Sequence, residues 1–165
     1  SEVGSGLLTS LSEHDRDLEE IRQELIVTEA WTPERFSRVR DRLRSHRCNL
    51  SVGAANLEEL CRYLTERRGF LLRLLENPVL LEHESFTNLL RAVFHLTEEL
   101  ERRGDFSALP QTDIAHLTVD IKRAYSLLIG EWLNYMEYLQ KNYPYLFSLA
   151  VRSNPFDKTA SPIVR

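Results

Sequence analysis

Apolar residues recur along this chain at spacings of three and four, with no strict alternation, a pattern that predicts helices and no strands. Leu11, Leu18, Ile21, Leu25 and Thr28 fall on the a- and d-type positions of a narrow 3.5-residue stripe, with His14 at the remaining d position, predicting an acidic amphipathic helix over 12–29. Thr32-Pro33-Glu34 is a start signal, because Thr can cap free N–H groups and Pro loses nothing at the first helical position. The second helix, reaching about Arg47, carries Phe36, Val39 and Leu43 on one face. Asn56 with Glu59 resembles a capping box, and Leu57, Leu60, Cys61, Leu64, Leu71 and Leu75 extend a third helix to Glu76, dented at Gly69. Asn77-Pro78 ends it and opens a short turn through Leu80 and Leu81.

A fourth helix is predicted over 85–103, with Phe86, Leu89, Leu90, Val93, Phe94 and Leu100 facing the core and Gly104 as the stop. After a connector over 105–110, Thr112 caps a long helix bearing Ile114, Leu117, Ile121, Ala124, Leu128, Trp132, Tyr135 and Leu139, which should reach about Asn142. Pro144 breaks it, a shorter apolar helical turn follows over 145–151, and Asn154-Pro155 starts an extended tail. The expectation is an all-α fold: one helical bundle of about five main helices with a short extra C-terminal helix over 11–157, a flexible leader over 1–10 and a tail over 158–165. No fixed-period repeat is present.

Composition narrows the class without naming a function. Of 165 residues 42% are hydrophobic and 28% charged, with 6 Gly and 6 Pro, which excludes collagen-like, low-complexity and broadly disordered chains. A net charge of −4 supplies no global positive field, so nucleic acid is not an expected partner. Cys48 and Cys61 form neither a disulfide framework nor a zinc or redox spacing, and reduced thiols are expected. No apolar run approaches the ~18 residues of a membrane span. The opening Ser1-Glu2-Val3-Gly4-Ser5-Gly6 has neither an initiator Met nor a signal region, and reads as a cut from something longer.

Charge is unevenly spread. Residues 1–30 hold 2 basic and 8 acidic side chains, whereas Arg35, Arg38, Arg40, Arg42, Arg44 and Arg47 stand against only Glu34 and Asp41 in the next segment. Two antiparallel neighbours of opposite sign would attract, each exposed pair adding about 1 kcal/mol or less. Alternatively Arg35, Arg38, Arg42 and Arg44 form a basic patch turned towards anionic lipid headgroups or another subunit.

Catalytic signatures are missing. Glycines stand at 4, 6, 53, 69, 104 and 130, a distribution that contains no P-loop, no G-x-G-x-x-G turn and no G-x-S-x-G elbow. The metal-like patterns are Asp113-x-x-His116-x-x-x-Asp120 and His95-x-x-Glu98-Glu99, but no Glu-x-x-His of the di-metal bundles occurs. No catalytic, cofactor or metal residue is therefore assigned, and Glu82-His83-Glu84 reads as a solvated helix entrance. Eight of the 15 aromatic residues lie from Tyr125 onward. Tyr135, Tyr138 and Tyr145 cannot all face inward together with Trp132 and Leu139, which leaves aromatic surface for a partner chain.

Two stretches carry a family resemblance: Glu76-Asn77-Pro78-Val79-Leu80-Leu81-Glu82-His83-Glu84-Ser85-Phe86, continuing through Phe94-His95-Leu96-Thr97-Glu98-Glu99-Leu100, and residues 142–157, beginning Asn142-Tyr143-Pro144-Tyr145-Leu146-Phe147. They resemble the soluble C-terminal region that follows the pore in prokaryotic two-transmembrane, potassium-channel-like membrane proteins, over roughly residues 57–157. The resemblance implies a homo-oligomeric domain at the cytoplasmic face of the cell membrane, tethered to an upstream transmembrane pore domain and acting in assembly or gating of an ion channel for potassium transport. In that setting the heptad helix would join subunits and the arginine patch would lie near an anionic membrane surface. It implies no cofactor, because a Rossmann-type nucleotide fold is lacking, and any selectivity filter would lie upstream. The function expected on this reading is a non-catalytic assembly or regulatory domain. An alternative from another class is a free-standing helical scaffold that binds a protein partner through its aromatic C-terminal region. A third is a helical enzyme or metal protein built on Asp113, His116, Asp120 and His95.

Overall fold

The computed structural model describes residues 2–46 and 49–164. Among them every regular element is helical, so the fold is all-α. In chain order the α-helices are α1 (Glu2–Ser12), α2 (Leu18–Arg22), α3 (Pro33–Ser45), α4 (Ala54–Glu66), α5 (Arg68–Leu75), α6 (Pro78–Leu81), α7 (Glu84–Glu101), α8 (Gln111–Asn142) and α9 (Pro144–Arg152). Short 3₁₀ turns occupy Gln23–Leu25 and Phe106–Ala108. The chain forms two compact units, Ser1–Asn49 with Leu128–Arg165, and Leu50–Leu127.

In the first unit, the segment expected as a flexible leader is helix α1, because Leu7, Leu8 and Leu11 recur at helical spacing and are all buried. The single helix expected over 12–29 is interrupted at residues 13–17. Asp15 is the cause: its buried carboxylate accepts the N–H of Asp17 at 3.1 Å and of Asn49 at 3.3 Å and lies 3.4 Å from His46 Nε2, satisfying the chain in a non-helical turn. Leu11, Leu18, Ile21 and Leu25 are all buried within the protein, so the stripe read as a seam between subunits is internal core. Thr28 is exposed, and Val27 takes the buried place. Thr32 caps α3 by accepting the Arg35 N–H at 3.2 Å, with Pro33 at the first position, as its sequence requires. This helix ends at Ser45, with His46 already extended, short of the expected Arg47; Arg47 and Cys48 lie outside the described residues.

The segment opening with Asn154-Pro155 does not start an extended tail there. The Asn154 amide donates to the Leu25 carbonyl at 2.8 Å, and its own carbonyl accepts the Phe156 N–H at 2.8 Å. Phe156 is fully buried, and Arg22 donates to its carbonyl at 2.9 Å.

In the second unit α4 and α5 pack on α7, with α6 against both α5 and α7. The expected third helix is divided at Arg67 rather than dented at Gly69. Arg67 donates from its guanidinium to the Tyr63 carbonyl at 3.0 Å and lies 3.7 Å from the centre of the Tyr63 ring, so the side chain takes an acceptor that the next helical turn would have used. Asn56 is not the cap of α4. Gly53 holds that position and its N–H donates to Asn56 Oδ1 at 2.9 Å. Asn77 accepts the Val79 N–H at 3.0 Å and so starts α6 with Pro78 at its first position. Helix α7 buries Leu89, Leu90, Ala92, Val93, Leu96 and Leu100. Thr112 lies inside α8 rather than capping it, and the Pro110 carbonyl receives the N–H groups of Asp113 and Ile114.

Candidate functional site

The aromatic surface lies in the first unit, on the C-terminal part of α8 and on α9. Helical spacing turns Trp132, Met136 and Leu139 into the core, which leaves Tyr135 and Tyr138 on the opposite side with 46% and 53% exposure. Pro144 then breaks the helix, and Tyr145 emerges in the first turn of α9 at 93% exposure. All three tyrosines singled out from the sequence are therefore at the surface. Leu146 and Leu149 are exposed beside Tyr145, and α9 fully buries only Phe147. Sequence reasoning missed these leucines, because a mostly apolar run over 145–151 after a proline does not reveal which of its side chains a neighbour covers. Tyr143 is half-exposed, its ring 5.9 Å from that of Tyr138, and a hydrogen bond between the two raises the Tyr138 phenol above its ordinary pKa. A shallow groove lined by Glu29, Gln140, Pro144, Tyr145, Phe147 and Ser148 adjoins this surface. Gln140 is fixed at its edge by donating to the Trp31 carbonyl at 2.7 Å.

The four arginines of the expected basic patch have separate contacts. Arg35 stacks over the Trp31 ring at 5.3 Å, Arg42 pairs with Glu24 at 3.4 Å, and Arg44 pairs with Asp41 at 3.1 Å. Arg38 is exposed, without an ion pair among the described residues. The Arg42–Glu24 contact is an attraction between the basic and acidic segments of the kind their composition suggested. Arg40 reaches instead to α8, donating to Glu137 at 2.7 Å and Asn134 at 3.3 Å.

The polar cluster of the second unit joins α7 to α8. Arg103 grips Asp113 through two hydrogen bonds of 2.9 and 2.7 Å and also donates to Glu99 at 2.6 Å. These bonds hold the Glu99 and Asp113 carboxyls below the usual carboxylate range, against the opposing effect of partial burial, and they raise Arg103. His95 Nε2 lies 3.4 Å and His116 Nε2 3.8 Å from Asp120 Oδ2, a buried oxygen that receives no hydrogen bond. Among the described residues no group of three or more His, Cys, Asp or Glu side chains converges as metal ligands. The arrangement is an ion-pair network that ties two helices together. Cys61 is half-buried on α4 with its sulfur 3.8 Å from Thr65 Oγ1. Glu82, His83 and Glu84 are all exposed at the entrance to α7.

A family model described as "Uncharacterized protein MJ1433, C-terminal helical domain" matches residues 1–152. The chain belongs to this family. A relative from Methanocaldococcus jannaschii, named "Uncharacterized protein MJ1433", is 48% identical over 155 residues, covering 94% of this chain and 62% of the relative. The chain thus spans about three fifths of the length of that curated relative. No solved structure matches the chain.

Membership of this family overturns the resemblance to potassium-channel-like proteins, since neither the family nor the relative has a link to them. The segments that suggested it have a local explanation. Asn77-Pro78 and Tyr143-Pro144 each start a helix, with Pro at its first position. Such starts recur wherever a chain must turn into a helix, whatever its ancestry. Among the described residues no helix is long and apolar enough to cross a membrane.

Proposed function

We propose that this chain is a non-catalytic protein-interaction domain that receives a protein partner on the aromatic face of α8 and α9. The observation that carries this reading is α9 itself, which buries Phe147 while leaving Tyr145, Leu146 and Leu149 in water. Large apolar side chains gain about 1.5–3 kcal/mol each on full burial, so a contiguous group of them at the surface marks a contact site. Tyrosines suit that purpose because each offers a large apolar ring, few rotatable bonds and one polar tip. Glu29 and Gln140 at the edge of the adjoining groove supply the polar rim that protein interfaces carry around an apolar centre.

A photo-crosslinking amino acid placed at Tyr145 in the full chain tests the reading. Covalent adducts with another polypeptide are expected at Tyr145 and not at Val119, an exposed apolar residue of the second unit. Adduct yields at Tyr145 no higher than at Val119 would overturn it.

A further inference from the structure

We infer that the partner covering this face is a second copy of the chain, docked with α8 antiparallel to α8 about a two-fold axis. The inference rests on the interaction face proposed above and names its occupant. In a two-fold contact the same surface meets itself, so it must carry both halves of every interaction, placed symmetrically about the axis. The C-terminal part of α8 meets that requirement.

Glu131, Tyr135, Tyr138 and Asn142 follow one another at intervals of four, three and four residues, the spacing of a helix–helix seam. Tyr135, Tyr138 and Asn142 are exposed and Glu131 is half-exposed. An axis passing between Met136 and Glu137 sets Tyr135 against Tyr138 of the second copy, and Tyr138 against its Tyr135. The same register sets Glu131 beside Lys141 and Asn142 of the second copy at both ends of the seam. Lys141 is exposed and has no ion pair among the described residues, and Glu131 holds only the Asn134 amide at 3.2 Å. Each is thus a charge available for a partner.

Charge also selects the orientation. A parallel pairing would bring Glu131 onto Glu131 and Lys141 onto Lys141, whereas the antiparallel one brings opposite signs together. Glu131 and Lys141 together carry no net charge, so two such faces approach without the repulsion expected between copies of a chain of net charge −4. Tyr145, Leu146 and Leu149 then lie beyond the ends of the seam as an apolar flank.

Sedimentation equilibrium of the full chain across the micromolar range, with light scattering, tests the inference. A dimer is expected. E131K and K141E should each raise its dissociation constant about tenfold, and the double variant E131K/K141E should return it close to the starting value, because the swapped charges meet again across the axis. Y138E should leave a monomer. All three positions are at the surface, and an unchanged helical circular dichroism spectrum establishes that each variant is folded. A chain that stays monomeric, an oligomer other than a dimer, a dimer indifferent to K141E, or a double variant no tighter than the singles would each overturn the inference. A monomer that still forms adducts at Tyr145 removes the second copy but leaves the interaction face standing. A monomer without adducts removes both.

Discussion

The Phe156 ring meets the Trp132 indole edge-on, with ring centres 5.1 Å apart and both side chains buried. A residue beyond the last helix is thereby fastened to the long helix α8, and Asn154 two residues earlier anchors the same segment to the Leu25 carbonyl. Asn154 and Phe156, beyond α9, are thus part of the core of their unit.

Phe156→Ala should therefore destabilise the chain by about 3–5 kcal/mol, as large cavities in cores do. Asn154→Ala should cost about 1–3 kcal/mol by leaving a buried carbonyl without its donor. Urea unfolding of the three proteins measures both. A change under about 0.5 kcal/mol for Phe156→Ala, the range of ordinary surface substitutions, would show that the segment adds nothing to the core.

Acid should loosen the ion-pair network around Arg103. Its hydrogen bonds depress the Glu99 and Asp113 carboxyls in the folded state. A depressed carboxylate contributes stability that is present above its unfolded value, about 4, and is lost as pH falls through the lower folded value. Unfolding followed from neutral pH to pH ~3 should show a steep loss at the acid end. In Arg103→Gln that acid limb should be shallower, and identical limbs would contradict the coupling.

Leu18, Ile21 and Leu25 distinguish an internal core from a subunit seam. Replacing Ile21 or Leu25, both fully buried, with Ala should cost about 2–5 kcal/mol. The oligomeric state measured by light scattering should not change. A clean shift of oligomeric state at unchanged melting temperature would restore the seam.

Among the arginines, position decides the effect. Charge reversal at exposed Arg38 or Arg44 should leave stability within about 0.5 kcal/mol. Arg40→Ala should cost about 1 kcal/mol, the upper end for a partly exposed pair, because it strips Glu137 of its ion partner. Thermal unfolding of the purified variants orders them.

Much of this was legible in the chain. Thr32-Pro33 and Asn77-Pro78 mark helix starts because proline has no N–H to lose at a first position, and both lie where the sequence puts them. That some of Tyr135, Tyr138 and Tyr145 must stay at the surface followed from counting, since they cannot all turn inward together with Trp132 and Leu139. The break at residues 13–17 was not legible, because the carboxylate that stabilises it draws on Asn49 and His46, more than thirty residues away. The division at Arg67 escaped as well, since an arginine that turns back onto the carbonyl of Tyr63 leaves no trace in hydrophobic spacing.

The sequence by itself determined the all-α class, the proline-marked helix starts and the aromatic excess near the C-terminus, because these depend on periodicity and on backbone chemistry within a few residues. Only the tertiary structure decided what each apolar stripe faces. The stripe of Leu18, Ile21 and Leu25 is core and Tyr145, Leu146 and Leu149 are surface, although both read as apolar helical faces. Burial depends on what lies opposite a face, and the residues opposite are remote in sequence: Asn154 reaches Leu25, and Phe156 reaches Trp132.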